Sequence, residues 1–177
     1  MDKKELRKAI LEQKRAMTEA QIVSASQRMG ELFLQCEQYK AAKTIYGYLP
    51  YNQEVRTVPM LEQAMKDGKR VAVPKCYGDE MKFIYLDDLS KVENGFANIP
   101  EPIAVEPVAD DPTALVLMPG LAFTTDGKRM GYGGGFYDKF LAAEPEHPTV
   151  ALCYAFQRVE DLPTEEYDIP VDCVLWA

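Results

Sequence analysis

Thr44-Ile45-Tyr46-Gly47-Tyr48-Leu49, closed by Pro50-Tyr51-Asn52, leads through Val58-Pro59, Leu61, Ala64, Met65 and Gly68 into Arg70-Val71-Ala72-Val73-Pro74. The first run has the β-branched and aromatic content of a strand, and the Pro-Tyr-Asn that follows ends it. Pro59 suits the first turn of a helix, where its missing N–H is not needed, and Gly68 stands at a C′ position that would close that helix. Arg70 to Pro74 is the next strand. Strand, helix and strand in this order form the unit from which parallel sheets are built.

Outward from this unit the periodicity is mostly helical on one side and strand-like on the other. Leu6, Ile10 and Met17 recur at near-helical spacing. Thr18 with Gln21 reads as a capping box opening a second helix, which carries Ile22, Met29, Phe33 and Cys36 and ends before Tyr39-Lys40. On the C-terminal side, Met81 to Leu86 reads as a short strand and Asp87 to Pro112 mostly as connection. Ala114 to Met118 is a continuous apolar run of the kind buried on both faces of a parallel sheet. A short helix is expected from Phe136 to Ala143, with strands at Thr149–Tyr154 and Cys173–Trp176. The expected architecture is one α/β domain over residues 1–177, in three layers, with a mostly parallel open sheet and helices on both faces.

Composition narrows the chemistry. The chain has 177 residues, 47% of them hydrophobic and 27% charged, which is ordinary for a globular protein that needs no disulfide or metal to fold. Twenty Lys and Arg against 28 Asp and Glu give a net charge of −8, which argues against a nucleic-acid binder. The single histidine, His147, lies in a loop-like Glu-His-Pro and excludes multi-histidine metal sites. Cys36, Cys76, Cys153 and Cys173 have no paired spacing. No signal segment or bilayer-length apolar run is present, and with unpaired thiols the expectation is a cytoplasmic protein without membrane or obligatory protein partner.

The chemistry concentrates in Lys128-Arg129-Met130-Gly131-Tyr132-Gly133-Gly134-Gly135-Phe136-Tyr137-Asp138. Four of the 11 glycines fall within five positions here, between a strand and a helix. Such a loop can turn its amides inward as an anion nest, backed by the helix dipole and by Lys128 and Arg129. The alternative reading is that the glycines serve only a tight turn, and the pattern is neither a Walker A loop nor a dinucleotide-binding fingerprint. A second basic patch, Lys3, Lys4, Arg7, Lys8, Lys14 and Arg15, opens the chain. Lys3 and Arg7 share a helix face and suit a polyphosphate, although such a patch alone also fits a solvated surface. Glu54 follows a strand end, where a carboxylate could accept hydrogen bonds from an amino-substituted ring beside Tyr48 and Tyr51, or could simply cap a turn. Asp138 and Asp168 are candidate Mg²⁺ ligands that spacing alone does not single out from 28 acids.

Taken together, Lys3-x-x-x-Arg7, Leu49-Pro50-x-x-x-Glu54, Leu117-Met118-Pro119-Gly120-Leu121-Ala122-Phe123, the loop from Arg129 to Asp138, and Asp168 with Val171-Asp172 resemble the 5-formyltetrahydrofolate cyclo-ligase family along nearly the whole chain. The resemblance implies an enzyme that converts 5-formyltetrahydrofolate to 5,10-methenyltetrahydrofolate with ATP as co-substrate and Mg²⁺ as cofactor. It assigns ATP binding to Lys3, Lys4, Arg7, Lys128, Arg129, Gly131, Gly133, Gly134, Gly135, Phe136 and Tyr137, with Arg129 and Tyr137 as catalytic positions. It assigns folate binding to Leu49, Glu54 and the loop from Tyr132 through Gly133, Gly134 and Gly135 to Phe136, and magnesium to Asp138 and Asp168. Some members carry Arg and Lys where this chain has Tyr132 and Gly134, so those two charged contacts do not transfer.

Overall fold

A computed structural model describes all residues, 1–177. The chain runs α1 (Lys3–Arg15), α2 (Glu19–Gln35), α3 (Glu37–Ala41), β1 (Thr44–Tyr46), α4 (Val58–Lys66), β2 (Arg70–Tyr77), β3 (Glu80–Leu86), β4 (Val92–Asn94), β5 (Pro100–Pro102), β6 (Leu115–Met118), β7 (Ala122–Phe123), β8 (Arg129–Met130), α5 (Phe136–Ala143), β9 (Thr149–Cys153) and β10 (Cys173–Trp176). Six strands form the central sheet in the order β10-β9-β6-β1-β2-β3, parallel except for the edge strand β3. The expected mostly parallel α/β domain is therefore present.

Side chains alternate across the sheet as a strand buried on both faces requires. Ile45, Val71, Val73, Leu115, Leu117, Val150 and Leu152 pack with Met29 and Phe33 of α2 and Leu61 and Ala64 of α4. Tyr46, Ala72, Val116, Met118, Ala151 and Cys153 face the other way, toward Leu141 and Phe140 of α5. The helices over the first core carry the expected end signals. The Thr18–Gln21 capping box forms as read, and Gly68 follows α4 with φ +84°.

Three local expectations change. The strand read as Thr44–Leu49 leaves the ladder after Tyr46, apart from the Gly47 amide, which still donates to the Ala72 carbonyl at 2.9 Å. Beyond it the Tyr48 carbonyl accepts from the Thr57 hydroxyl and is lost to the sheet. The segment after Gln35 holds a short third helix, because Tyr39 buries its ring against Phe33 at 5.0 Å between centroids. The segment read mostly as connection contains the hairpin β4–β5, tied to the domain by the buried Lys75 ammonium, which donates to the Pro102 carbonyl at 2.6 Å. His147 sits in a loop as expected. It is a structural pin, with Nδ1 donating to the Ala114 carbonyl at 2.8 Å. No helix is long and apolar enough to cross a membrane.

Candidate active site

The topology selects one end of the sheet. From β1 the chain moves to β2 on one side, and the later strand β6 lies on the other side of β1, so the order reverses between β1 and β6. Loops leaving the carboxyl ends of strands at such a reversal diverge and leave a crevice. Here the loop after β1 supplies Glu54, and the segment after β6 supplies Pro119, the small β7–β8 hairpin and the glycine loop. Helix α1 lies across this end, with Ile10 packed against Leu121, Ala122 and Met130. Lys3, Arg7 and Lys14 share the face of Ile10 by helical spacing, so the hydrophobic contact that docks the helix also brings three cations to the crevice.

Arg129 is held in that crevice rather than waving in solvent. Its side chain is 7% exposed, Nη1 donates to the Pro119 carbonyl at 3.0 Å, and Nη2 reaches Asp138 at 3.4 Å. Its Nε is buried without a hydrogen-bond partner, and so is the Nε of Arg7. An orphaned buried N–H of a charged group costs free energy that an anionic ligand would recover. Arg129 precedes the glycine loop and Arg7 lies on α1, the helix that packs on Met130 through Ile10, so the two orphaned groups belong to elements in contact and together suit a polyanion.

The glycine loop follows Arg129. A Cβ on Gly131 would lie 2.9 Å from Arg129 Nη1, so the absence of a side chain there lets the guanidinium lie along the backbone. Gly133 and Gly135 have φ of +103° and +70°, which only glycine adopts without strain. The amides of residues 131–135 donate to no backbone carbonyl, and α5 begins at Phe136 without a side-chain cap. The loop thus offers free N–H groups and a helix N-terminus to an anion.

Beside it lies a carboxylate in an aromatic pocket. Glu54 Oε1 accepts the Tyr51 amide at 2.7 Å, which is the turn-capping role, while Oε2 accepts the Tyr132 hydroxyl at 3.3 Å. Burial raises the Glu54 pKa, opposed by the Lys14 charge and by these hydrogen bonds. Tyr48 and Tyr137 are raised by burial first and by the Glu54 charge second, so both phenols stay neutral around it. The pocket therefore combines flat apolar faces with one acceptor. A planar ring bearing N–H donors suits it.

Not every residue singled out from the sequence sits at this crevice in the same way. Lys4 is exposed, off the face shared by Lys3 and Arg7. Lys128 donates to Asp161 at 2.7 Å, away from the loop. Leu49 is 5% exposed and belongs to the main core. Asp138 Oδ1 accepts the Ile169 amide at 3.2 Å, which brings the neighbouring Asp168 to the same region, where Asp168 Oδ2 accepts the Glu165 amide at 2.7 Å. No cluster of three or more His, Cys, Asp or Glu side chains is arranged to hold a metal ion. In the sequence Lys14 stands out only as part of a basic patch, and Tyr154 does not stand out at all. Extending the Lys3–Arg7 spacing to residue 14 would have found the first; Tyr154, whose hydroxyl donates to the Gln53 carbonyl at 2.6 Å, carried no signal.

The sequence model of the 5-formyltetrahydrofolate cyclo-ligase family matches residues 1–177. The 5-formyltetrahydrofolate cyclo-ligase of Escherichia coli (strain K12) is 32% identical over 173 residues, covering 94% of this chain and 95% of that protein. Its namesake from Mus musculus is 26% identical over 188 residues, covering 98% and 93%. Among solved structures, the 5,10-methenyltetrahydrofolate synthetase of Aquifex aeolicus matches with a TM-score of 0.85 at 29% identity, over 99% of this chain and 90% of that one. The corresponding synthetase of Mycoplasma pneumoniae gives 0.76 at 25% identity, over 98% of each chain. A match along the whole length, on a fold shared with two such synthetases, identifies the chain as a member of the 5-formyltetrahydrofolate cyclo-ligase family and as an enzyme.

Proposed function

We propose that this protein converts 5-formyltetrahydrofolate to 5,10-methenyltetrahydrofolate while ATP is cleaved to ADP and phosphate. The observation that carries the reading is a loop of free amides beside Glu54, preceded by Arg129 with its orphaned Nε and met by helix α1, which carries the orphaned Nε of Arg7. Lys3, Arg7, Arg129 and the loop amides hold the phosphates, and Glu54 accepts N–H donors of the folate ring, stacked among Tyr48, Tyr132 and Tyr137. The formyl oxygen forms a bond to the γ-phosphorus as ADP leaves. Nitrogen 10 then adds to the activated carbon and loses its proton, and the carbon–oxygen bond breaks, so that phosphate departs with the formyl oxygen. The chain contributes alignment and charge neutralisation, and no protein nucleophile is needed. Arg129, bonded to Pro119 and lying 5.8 Å from the Tyr137 ring, is oriented to neutralise the transferring phosphoryl group.

The donor set suits Mg²⁺ that arrives with the nucleotide, because such an ion takes one or two carboxylates and completes its shell with phosphate oxygens and water. Asp138 and Asp168 would hold it, and when bound it neutralises charge on the β- and γ-phosphates. Four free thiols fit a reducing compartment such as the cytoplasm.

The test is a coupled assay on the purified protein with ATP, Mg²⁺ and 5-formyltetrahydrofolate. ADP release and methenyl absorbance should rise in equal amounts, and neither should appear without the folate. ADP release indifferent to the folate would refute the reading, and binding of both ligands without product would make the chain a binding module.

A further inference from the structure

Lys14 is a buried cation, 4% exposed, on the last turn of α1. Its ammonium carries three donors, yet it makes one hydrogen bond within the chain, to the Tyr132 hydroxyl at 3.0 Å. The Tyr132 hydroxyl in turn donates to Glu54 Oε2 at 3.3 Å. Three distant segments thus meet in one line: helix α1, the glycine loop and the turn after β1. Burying a charge with so few partners is costly, and Met at this site would fill the same volume without that cost. Lys14 also lies 5.6 Å from the centroid of the Tyr132 ring, so it fixes both the hydroxyl and the face of that tyrosine.

We propose that Lys14 is a positioning residue for the folate subsite: it docks the Tyr132 end of the glycine loop against Glu54 and serves as the counter-ion of that carboxylate. The proposal rests on the reading of Glu54 as the folate acceptor. Glu54 Oε1 is fixed by the Tyr51 amide, so Oε2, on the Tyr132 side, is the oxygen whose surroundings Lys14 controls. Groups facing Glu54 from every neighbouring element are few. Lys14 comes from α1, Tyr132 from the loop, Arg56 from its own turn, Tyr48 from the end of β1, Tyr137 from α5 and Tyr154 from the segment after β9. Burial favours the neutral acid, and Lys14 is the foremost of the groups that oppose it. The tyrosines are raised by burial and supply no charge near neutrality. Arg56 spends its guanidinium on the Asn52 and Glu54 backbone carbonyls and on Glu19, and of the groups that oppose burial at Glu54 it contributes least. Without Lys14 the carboxylate would take up its proton at higher pH and lose acceptor capacity toward ring N–H donors.

The experiment compares Lys14→Met, Lys14→Arg, Tyr132→Phe and Glu54→Gln with the unaltered protein, measuring KM for each substrate and kcat/KM for the folate against pH. Lys14→Met should raise the folate KM roughly tenfold, the scale of one charged hydrogen bond, and leave the ATP KM unchanged. The acidic limb of the folate profile should move to higher pH, since loss of the cation removes the foremost group that held the Glu54 pKa down. Lys14→Arg should recover most of both effects, and Tyr132→Phe should raise the folate KM with a smaller movement of the limb. An unchanged folate KM and limb in Lys14→Met, or folate and ATP constants rising together, would overturn the proposal. Should Lys14→Met fail to fold, an unchanged folate KM in Tyr132→Phe overturns it equally. Glu54→Gln separates the two claims: a normal folate KM there refutes the underlying reading, whereas a raised KM with the limb abolished keeps that reading and leaves Lys14 to be judged by its own variants.

Discussion

Arg129 and Gly131 act as a pair, because the guanidinium occupies the space that a side chain at residue 131 would take. Arg129→Ala should weaken ATP binding by about 1.5–3 kcal/mol, the range for a charged hydrogen bond, with a much smaller effect on the folate. Gly131→Ala should act in the same direction without removing any charge, by forcing the guanidinium off its line to Pro119. Steady-state constants for the two substrates decide this, and an unchanged ATP KM in either variant would remove the phosphate role from Arg129. The glycine loop and its Arg were legible in the sequence, since four clustered glycines before a helix have few other uses. The orphaned Nε atoms were not, because satisfaction of a donor depends on contacts that no local pattern encodes. Glu54 was one acid among 28 until the sheet order put its turn beside the glycine loop.

The proposed function makes substrate binding depend on helix α1. It is attached mainly through Ile10, 2% exposed, against Leu121, Ala122 and Met130. Ile10→Ala should cost about 2–5 kcal/mol in the docking of the helix. Hydrogen exchange should then quicken in α1 ahead of the central strands, and the ATP KM should rise although no ligand-facing group has changed. Uniform exchange across all elements would show that α1 is no separate unit. The strand–helix–strand unit was readable because Pro59 and Gly68 punctuate it and its strands are buried on both sides. The hairpin β4–β5 escaped because Pro100 and Pro102 are poor strand formers that lack an amide for the ladder. Helix α3 escaped because its five residues are too few for a periodic pattern and are held by Tyr39.

Over the whole molecule, a net charge of −8 is compatible with the proposed anion site because that site needs only a local concentration of cations. Lys3, Arg7 and Arg129 are the cations read toward the phosphates, Lys14 being spent on Tyr132 and Glu54, and the acidic surface elsewhere keeps the average negative. Chelation of divalent ions should therefore stop turnover and reduce the thermal stabilisation given by ATP, with both restored by added Mg²⁺; full activity in chelator would remove the metal from Asp138 and Asp168. The lone histidine fits the same picture, since a reaction whose nucleophiles belong to its substrates needs no imidazole, and His147 is occupied with Ala114. The central claim is that the formyl oxygen is phosphorylated at this site. It is tested most directly with 5-formyltetrahydrofolate carrying heavy oxygen in the formyl group, by mass analysis of the products of turnover with ATP. The label should leave in inorganic phosphate, mole for mole with the methenyl product. Recovery of the label in water, with unlabelled phosphate, would contradict it.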